Sequence, residues 1–338
     1  MRVQIIGFGV IGQGLAEVLL RKQVELKQRY SLEVKVVSIT DISGTAYAEE
    51  GLDLEKALSV ARQTRAIVNY PGAKEMTGIE AIEEIDADLV IEATPSNIKT
   101  GEPGLSHMLA GFKAGKHVVT SNKGPLALKY KELVTEAARN NVEFRFEASV
   151  GGAMPVINLA RETLSGDKIT AIEGILNGTT NYILSRMTRE GLSFEQVLKE
   201  AQELGYAETD PTYDIEGIDT ASKLVILANA IMGIDATFGD VKTRGITRIT
   251  PEAIRLAKER GYVIKLIGEV RNNHLEVSPR LIPETHPLNV DGALNVAMLH
   301  CDVAGEITVV GKGAGAIETQ SAILSDIIAI WKKRGAVQ

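Results

Sequence analysis

One cysteine, Cys301, is all that 338 residues contain. It cannot close an internal disulfide or supply a thiolate zinc cluster, so the sequence reads as a protein of a reducing compartment. Basic residues are outnumbered: 37 Lys and Arg stand against 44 Asp and Glu, for a formal charge of −7. No basic run interrupts that balance, which argues against nucleic acid and against anionic membranes as partners. Long apolar runs are missing too. The longest, Leu224 to Ile234, is broken by Asn229 and Gly233 and falls short of the ~18 residues that cross a bilayer. The opening Met1-Arg2-Val3-Gln4-Ile5-Ile6 enters a strand directly rather than a signal peptide, so the expected location is the cytoplasm. The five histidines, His107, His117, His274, His286 and His300, show no i, i+4 pairing, and no cluster has zinc-ligand spacing.

What is there suits a folded protein with a sizeable core: 44% hydrophobic and 24% charged residues, with a mean hydropathy of +0.03. At ~100–200 residues per domain the length predicts two domains. Over the first 150 residues short β-rich runs (Val3–Ile6, Val34–Thr40, Ala66–Asn69, Leu89–Ala93, Val118–Thr120, Val142–Phe146) alternate with helical periodicity (Leu15–Gln28, Ala81–Glu84, Gly104–Ala114, Leu126–Asn140). Such alternation with near-continuous apolar strands predicts an α/β fold, a Rossmann-type doubly wound parallel sheet covered on both faces. Beyond residue 150 the pattern is α+β. Helices are expected over Met154–Ser165, Tyr182–Glu190, Ser193–Leu204 and Thr220–Ile231, and a hairpin over Val263–Ile282 turns at Asn272-Asn273. Strands Ala293–His300 and Glu306–Val310 lead to Gly311-Lys312-Gly313-Ala314-Gly315 and a last helix. The expected division is therefore 1–150, 151–315, and a helix over 316–338 that packs back on the first domain.

Gly7-Phe8-Gly9-Val10-Ile11-Gly12 fits G-x-G-x-x-G immediately after a strand and at the opening of a helix. Gly7 permits the tight turn, Gly9 lets backbone approach a pyrophosphate, and Gly12 lets the helix lie close on the strand. Amides near Val10 and Ile11, at the positive helix end, would hold the anion. Tight strand–helix turns also use glycine for steric reasons alone, but this placement makes residues 1–150 a dinucleotide-binding domain. Asp41 closes the second strand, where a carboxylate accepts from an adenosine ribose and repels a 2′-phosphate. It falls further past Gly12 than the usual ~20 residues because the first helix is long. An ordinary turn aspartate is the other reading, and Lys56, Arg62 or Arg65 could serve a phosphate, so NAD and NADP both stay open. Thr94-Pro95-Ser96 and Ser121-Asn122-Lys123 end strands where the nicotinamide half would run; turn chemistry alone also explains such residues. Lys123, at the sheet's carboxyl edge, faces the ligand crevice.

Oxidising an alcohol needs a hydride acceptor and a group that takes the hydroxyl proton. Cys301, in an expected strand without an activating neighbour, disfavours thioester chemistry. The concentrated polar segment is Gly205-Tyr206-Ala207-Glu208-Thr209-Asp210-Pro211, then Asp214, then Gly217 to Lys223. Asp219 reads as the N-cap of the apolar helix that follows, with Lys223 one turn along the same face. An exposed Asp–Lys helix pair would be worth only ~0.3–0.5 kcal/mol. Against that bland reading, Lys223 heads the apolar run Leu224-Val225-Ile226-Leu227-Ala228 near a positive helix end, where an ammonium is disfavoured. A lysine acting as base must lose its proton near neutrality from an ordinary pKa of ~10.4, and each 2 units require ~2.7 kcal/mol.

At these residues the chain resembles homoserine dehydrogenase. Four stretches carry the likeness: Gly7–Gly12, the run from Gly174 to Leu184 (Gly-Ile-Leu-Asn-Gly-Thr-Thr-Asn-Tyr-Ile-Leu), Gly205–Lys223, and Gly311–Gly315. The second and third are specific to the family, and the resemblance covers nearly the whole chain. It implies interconversion of L-homoserine and L-aspartate 4-semialdehyde with NAD or NADP, in threonine and methionine biosynthesis. It implies Lys223 as proton donor and acceptor at the substrate oxygen, and Lys123 assisting at the nicotinamide and the substrate. Glu208 and Asp219 would hold the polar groups of homoserine, and Gly205 and Gly315 would touch the cofactor. The family further implies a structural sodium ion on carbonyls of Glu147, Val150, Gly152 and Met154, in a glycine-containing bend before Pro155. Alkali ions favour such hard oxygen donors, by analogy with calcium and magnesium, though a plain strand–helix loop would look the same. A homodimer built through the second, substrate-binding domain is expected. Many members carry a C-terminal regulatory domain and some a kinase; neither is expected here, nor feedback by threonine through such a domain.

Two other functions fit the cofactor turn: a dehydrogenase of a different hydroxy acid or semialdehyde, and a dinucleotide sensor without turnover. The sensor reading leaves Asp219 and Lys223 without a task.

Overall fold

The structure, a computed structural model, describes residues 1–335; residues 336–338 of the expected last helix lie outside the described residues. The chain forms two compact units, Met1–Ser149 with the chain from Ala316 onward, and Val150–Gly315.

The first unit is built on a six-stranded sheet: β1 (Arg2–Ile6), β2 (Lys35–Asp41), β3 (Gly44–Tyr47), β4 (Leu89–Glu92), β5 (His117–Thr120) and β6 (Phe144–Arg145), in the order β3-β2-β1-β4-β5-β6. All neighbours are parallel except β3, which returns antiparallel along β2 and forms an edge. The central strands are buried on both faces, as their continuous apolar runs require. Helices α1 (Val10–Tyr30), α2 (Leu54–Thr64), α3 (Gly78–Glu84), α4 (Gly104–Lys113) and α5 (Lys123–Arg139) connect the strands. Local chemistry sets their ends. Asp53 caps α2 by accepting from the Lys56 amide at 3.0 Å, and Thr77 with Glu80 forms a capping box on α3. The last helix of the chain, Ala316–Gly335, packs on α1: a Cβ on Gly14 would overlap the Gln320 side chain, and Trp331 donates its indole hydrogen to the Tyr30 carbonyl at 2.9 Å. The strand order reverses between β1 and β4, so the crevice for a ligand lies outside the carboxyl ends of the strands there.

Two expectations need correction. Ala66–Asn69 is no strand; Ile67–Asn69 forms a 3₁₀ turn, because the Ile67 amide is taken by Asp41 at 2.8 Å instead of by a neighbouring strand. The extra strand is β3, whose tight return at Ser43-Gly44 uses a glycine at φ +144.

The second unit holds a second six-stranded sheet of β7 (Ile169–Ile175), β8 (Val241–Thr243), β9 (Tyr262–Arg271), β10 (His274–Pro283), β11 (Leu294–Cys301) and β12 (Glu306–Lys312), ordered β12-β11-β7-β9-β10-β8. It is antiparallel apart from the β8–β10 pair. The β9–β10 hairpin turns at Asn272 and Asn273, both left-handed at φ +52 and +60, which is what a two-residue hairpin turn needs. The helices are α6 (Val156–Asn158, continued by a π-turn over Leu159–Thr163), α7 (Gly178–Glu190), α8 (Phe194–Glu203), α9 (Thr212–Ile215), α10 (Ile218–Leu227) and α11 (Pro251–Lys258). Ile175, Val263, Ile267, Ile282, Leu288, Val296 and Met298 form a core of this unit. Among the described residues no helix is long and apolar enough to cross a membrane.

Candidate active site

In the first unit the turn after β1 has the shape of an anion cradle. A Cβ on Gly7 would stand 2.5 Å from the Ala93 carbonyl oxygen, and one on Gly12 would stand 2.1 Å from the Gly7 carbonyl oxygen, so both positions are closed to side chains. Gly9 differs: a Cβ there meets nothing within 4 Å. It is the N-cap of α1, no side chain caps the helix, and Val10 beside it is 74% exposed. Amides of Val10 and Ile11 therefore open on free space at the positive end of a 21-residue helix. That fits a dinucleotide pyrophosphate.

The other cofactor candidates of this unit sit around the same edge. Asp41 ends β2 half-buried, with Oδ1 accepting from the Ser43 amide (2.7 Å) and hydroxyl (2.5 Å) and Oδ2 from the Ile67 amide. Its carboxylate thus already ties the β2–β3 turn to the Ile67 turn. Of the three basic residues weighed for a 2′-phosphate, Arg62 is paired with Glu17, Lys56 lies over the Tyr70 ring at 5.7 Å, and Arg65 is exposed at the left-handed end of α2. Thr94 follows β4 and Ser121 follows β5, both half-buried; Lys123 is the first residue of α5, whose cap Asn122 accepts from the Gly124 amide at 3.2 Å.

In the second unit the structure brings Asp219 and Lys223 together. Lys223 Nζ lies 2.8 Å from Asp219 Oδ2 and donates to the Leu176 carbonyl at 2.7 Å. Both side chains are about nineteen-twentieths buried, at 6% exposure each, so this is no solvated helix pair. Asp219 is also not the N-cap of α10, a correction to the sequence reading. Gly217 occupies that position at φ +79, and the Asp219 carboxylate turns inward to Lys223 and Asn177 rather than over the helix end.

Two residues in this cluster, Asn177 and Asp214, stand in stretches quoted from the sequence but carry no role there. Asn177 donates Nδ2 to Asp214 Oδ1 at 2.7 Å and to Asp219 Oδ2 at 3.0 Å, while its Oδ1 caps α7 by accepting from the Thr180 amide at 2.9 Å. Burial and the neighbouring Asp219 charge push Asp214 above the usual carboxylate range, offset in part by Asn177. The legible signal was an asparagine just ahead of a helical run, the signature of a cap. The geometry gathers one ammonium, two carboxylates and an amide, a set able to move one proton and to hold a cationic substrate group.

Glu208 stands apart. It is exposed on the loop after α8, and its carboxylate has no hydrogen-bond partner among the described residues. Its backbone is fixed: Gln202 Nε2 donates to the carbonyls of Glu208 (3.1 Å) and Thr209 (3.2 Å), and the Thr179 hydroxyl donates to the Tyr206 carbonyl at 2.7 Å. Gly205 ends α8 at φ +76, and Gly315 precedes the last helix at φ +131. Of the implied sodium ligands, Glu147 belongs to the first unit, where its amide donates to buried Asp326 at 3.0 Å; Val150, Gly152 and Met154 belong to the second.

Other buried lysines serve as comparisons. Lys265 is pushed down to about 8 by burial, yet it donates to Asn181 (2.8 Å), Ser185 (2.9 Å) and the Val290 carbonyl (2.7 Å), with no carboxylate bonded to it among the described residues. Lys116 caps the carbonyls of Ile82 and Ile85 at the end of α3. Among these three, Lys223 alone is bonded to a buried carboxylate.

A glycine cradle on a doubly wound sheet, with a buried lysine–carboxylate pair in a second unit, defines the class: a dinucleotide-dependent α/β oxidoreductase. Residues 7–147 match the family model described as "Homoserine dehydrogenase, NAD binding domain", and residues 155–328 match "Homoserine dehydrogenase". The chain belongs to the homoserine dehydrogenase family, whose members are NAD(P)-dependent oxidoreductases. It is 61% identical over 332 residues to homoserine dehydrogenase of Methanocaldococcus jannaschii, covering 98% of both chains. It is 39% identical to the NAD(+)-dependent homoserine dehydrogenase of Pseudomonas canavaninivorans, covering 97% of this chain and 96% of that one. In structure it is similar to a putative homoserine dehydrogenase from Archaeoglobus fulgidus, with a TM-score of 0.91 at 47% identity over 98% of this chain and 99% of that one. A hyperthermophilic archaeal homoserine dehydrogenase in complex with NADPH is similar at a TM-score of 0.84 and 31% identity, over 98% of each chain.

Proposed function

We propose that this chain interconverts L-homoserine and L-aspartate 4-semialdehyde, with Lys223 as the proton acceptor and donor at the substrate oxygen and the Gly7–Gly12 turn as the dinucleotide cradle. The observation that supports this most is the buried pair of Lys223 and Asp219, 2.8 Å apart beside the Leu176 carbonyl. A lysine kept from water and held by a carboxylate has a fixed Nζ position, which proton transfer between Nζ and the substrate oxygen requires. The nicotinamide, when bound, supplies the hydride acceptor. Lys223 takes the hydroxyl proton in the oxidising direction and returns it in the reducing one. Asp219 and Asp214 hold the substrate ammonium and keep Nζ oriented, and Glu208 adds a third carboxylate from its loop. Thr94, Ser121 and Lys123 line the nicotinamide end of the cradle, Asp41 the adenosine end, and Gly205 and Gly315 complete the cofactor contacts. Substrate-dependent NAD(P)H formation with L-homoserine tests the reading. Equal rates with malate or lactate would contradict it.

Two further outcomes are expected. Glu208→Gln removes one charge from an exposed side chain, so the fold is unaffected and the KM for homoserine rises about tenfold at a nearly constant kcat. Steady-state kinetics with an unaltered KM would take Glu208 out of the substrate site. Asp41→Asn removes the charge at close to constant shape, and the NAD-to-NADP affinity ratio then shifts towards NADP by about tenfold, the effect of ~1.4 kcal/mol of lost repulsion. Paired titrations with the two cofactors read that ratio directly, and a constant ratio would leave Asp41 as a turn residue only.

The proposal includes a homodimer through the second unit, a cytoplasmic location and a place in threonine and methionine biosynthesis. It also includes a sodium ion at Glu147, Val150, Gly152 and Met154. Among the described residues no three His, Cys, Asp or Glu side chains gather to hold a metal, so an ion there depends on backbone oxygens. Gly152, at φ +54, approaches the Gly313 backbone closely, the Ala153 amide donates to the Lys312 carbonyl at 3.1 Å, and Met154 accepts one hydrogen bond from the Val156 amide at 2.9 Å, which leaves its carbonyl a second lone pair. These donors suit a hard cation.

A further inference from the structure

The strand β4 reads Leu89-Val90-Ile91-Glu92, three apolar residues and then a glutamate that is completely buried. Burying a carboxyl group is costly unless its oxygens are hydrogen-bonded. Here they are, and the partners come from two different turns. Oε1 accepts from the Thr94 amide at 3.1 Å and from the Thr94 hydroxyl; Oε2 lies 3.1 Å from the Thr120 hydroxyl at the end of β5. The two turns are joined again beyond the carboxylate. Asn122 Nδ2 donates to the Thr94 carbonyl at 3.4 Å, and the Gly124 amide donates to the Ser96 hydroxyl at 3.0 Å. Helix α4 closes the clamp from above. A Cβ on Gly104 would stand 2.5 Å from Asn122 Nδ2 and 3.2 Å from Glu92 Oε2. Buried His107, also on α4, points Nδ1 at Oε1 from 3.7 Å and makes no hydrogen bond with that nitrogen.

We infer that Glu92 is a positioning residue for the nicotinamide half of the dinucleotide: its buried carboxylate locks the turn carrying Thr94 onto the turn carrying Ser121 and Lys123. The inference rests on the reading that these two turns line the nicotinamide path. A carboxylate suits the task because it presents two acceptor oxygens in opposite directions and so bridges donors on adjacent strands. Gly7 of the pyrophosphate turn packs close on the Ala93–Thr94 backbone, but Asp41, at the adenosine end, is held separately by Ser43 and Ile67. Loss of the clamp therefore affects one half of the cofactor and spares the other.

The test compares NADH with ADP-ribose, which lacks the nicotinamide, by calorimetry on the full-length chain. Glu92→Leu leaves the Thr94 amide without its acceptor; it is expected to weaken NADH by about tenfold or more, to raise the KM for NAD while lowering kcat, and to leave ADP-ribose affinity within about twofold. Glu92→Gln keeps an acceptor for Thr94 and a polar partner for Thr120, and is expected to restore NADH affinity to within about threefold of the parent. Equal weakening of both ligands would make Glu92 a general structural residue, and unaltered NADH affinity would remove the clamp; either overturns the inference. Thr94→Ala separates the two layers of argument. Unchanged NADH affinity in that variant overturns the nicotinamide path itself, whereas weakened NADH there with normal NADH in Glu92→Leu overturns the positioning role alone. Should Glu92→Leu fail to fold, Thr120→Val removes one arm of the clamp at constant shape and must show the same split between the two ligands.

Discussion

Replacing Lys223 by alanine should lower homoserine turnover by at least ~100-fold while NADH affinity stays within about twofold, the pattern of a lost proton-transfer group. A 100-fold loss corresponds to about 2.7 kcal/mol of transition-state stabilisation. The structure adds a second consequence. Lys223 and Asp219 are buried partners at 2.8 Å, and stripping one ion from a buried pair costs about 3–5 kcal/mol of stability. A lowered melting temperature is thus expected of Lys223→Ala, and activity must be measured where the variant remains folded. Lys223→Arg separates the effects. It keeps the positive charge beside Asp219 but cannot release a proton near neutrality, so it should stay more stable than the alanine variant and be just as inactive. Turnover near the parent level in either folded variant would remove Lys223 from the chemistry.

At the cradle a large loss of function is expected without a loss of stability. Gly9→Val should leave the melting temperature nearly unchanged and raise the KM for NAD by at least ~10-fold. The side chain enters space that holds no protein atom within 4 Å, and the backbone at φ −81 accepts any residue. Gly12→Ala should destabilise instead, because its Cβ would stand 2.1 Å from the Gly7 carbonyl oxygen. Two glycines of one motif thus separate into one that serves ligand space and one that serves packing. Normal NAD binding by Gly9→Val would mean that the pyrophosphate lies elsewhere.

How much of this was legible in the sequence depended on whether a signal was local. The cradle was: a strand, three glycines and a helix occupy adjacent residues, and each glycine's task follows from its offset. The parallel sheet was legible for the same reason, since its strands are continuous apolar runs. Ala66–Asn69 misled because a β-rich tetrapeptide says nothing about a carboxylate elsewhere in the chain; Asp41 captures the Ile67 amide from 26 residues away. Asp219 misled in a related way. Its position ahead of an apolar helix suits a cap, but a glycine two residues earlier caps the helix, and the carboxylate is drawn inward by Lys223 and Asn177. Asn177 and Asp214 lie in stretches quoted for their family likeness, and the bonds of Asn177 to Asp214 and Asp219 join segments about 40 residues apart, which periodicity does not register. Glu92 left a visible trace, a charge at the end of an apolar strand. Only the tertiary fold shows that its oxygens bridge β4 to β5.

A structure of the chain with NAD and homoserine bound together tests the role of Lys223 at the substrate oxygen. Lys223 Nζ is expected within hydrogen-bond distance, roughly 3 Å, of the substrate hydroxyl, with the carbon bearing it about 3–3.5 Å from the nicotinamide ring. A homoserine hydroxyl held by some other group, with Lys223 still bonded to Asp219 and Leu176, would contradict it.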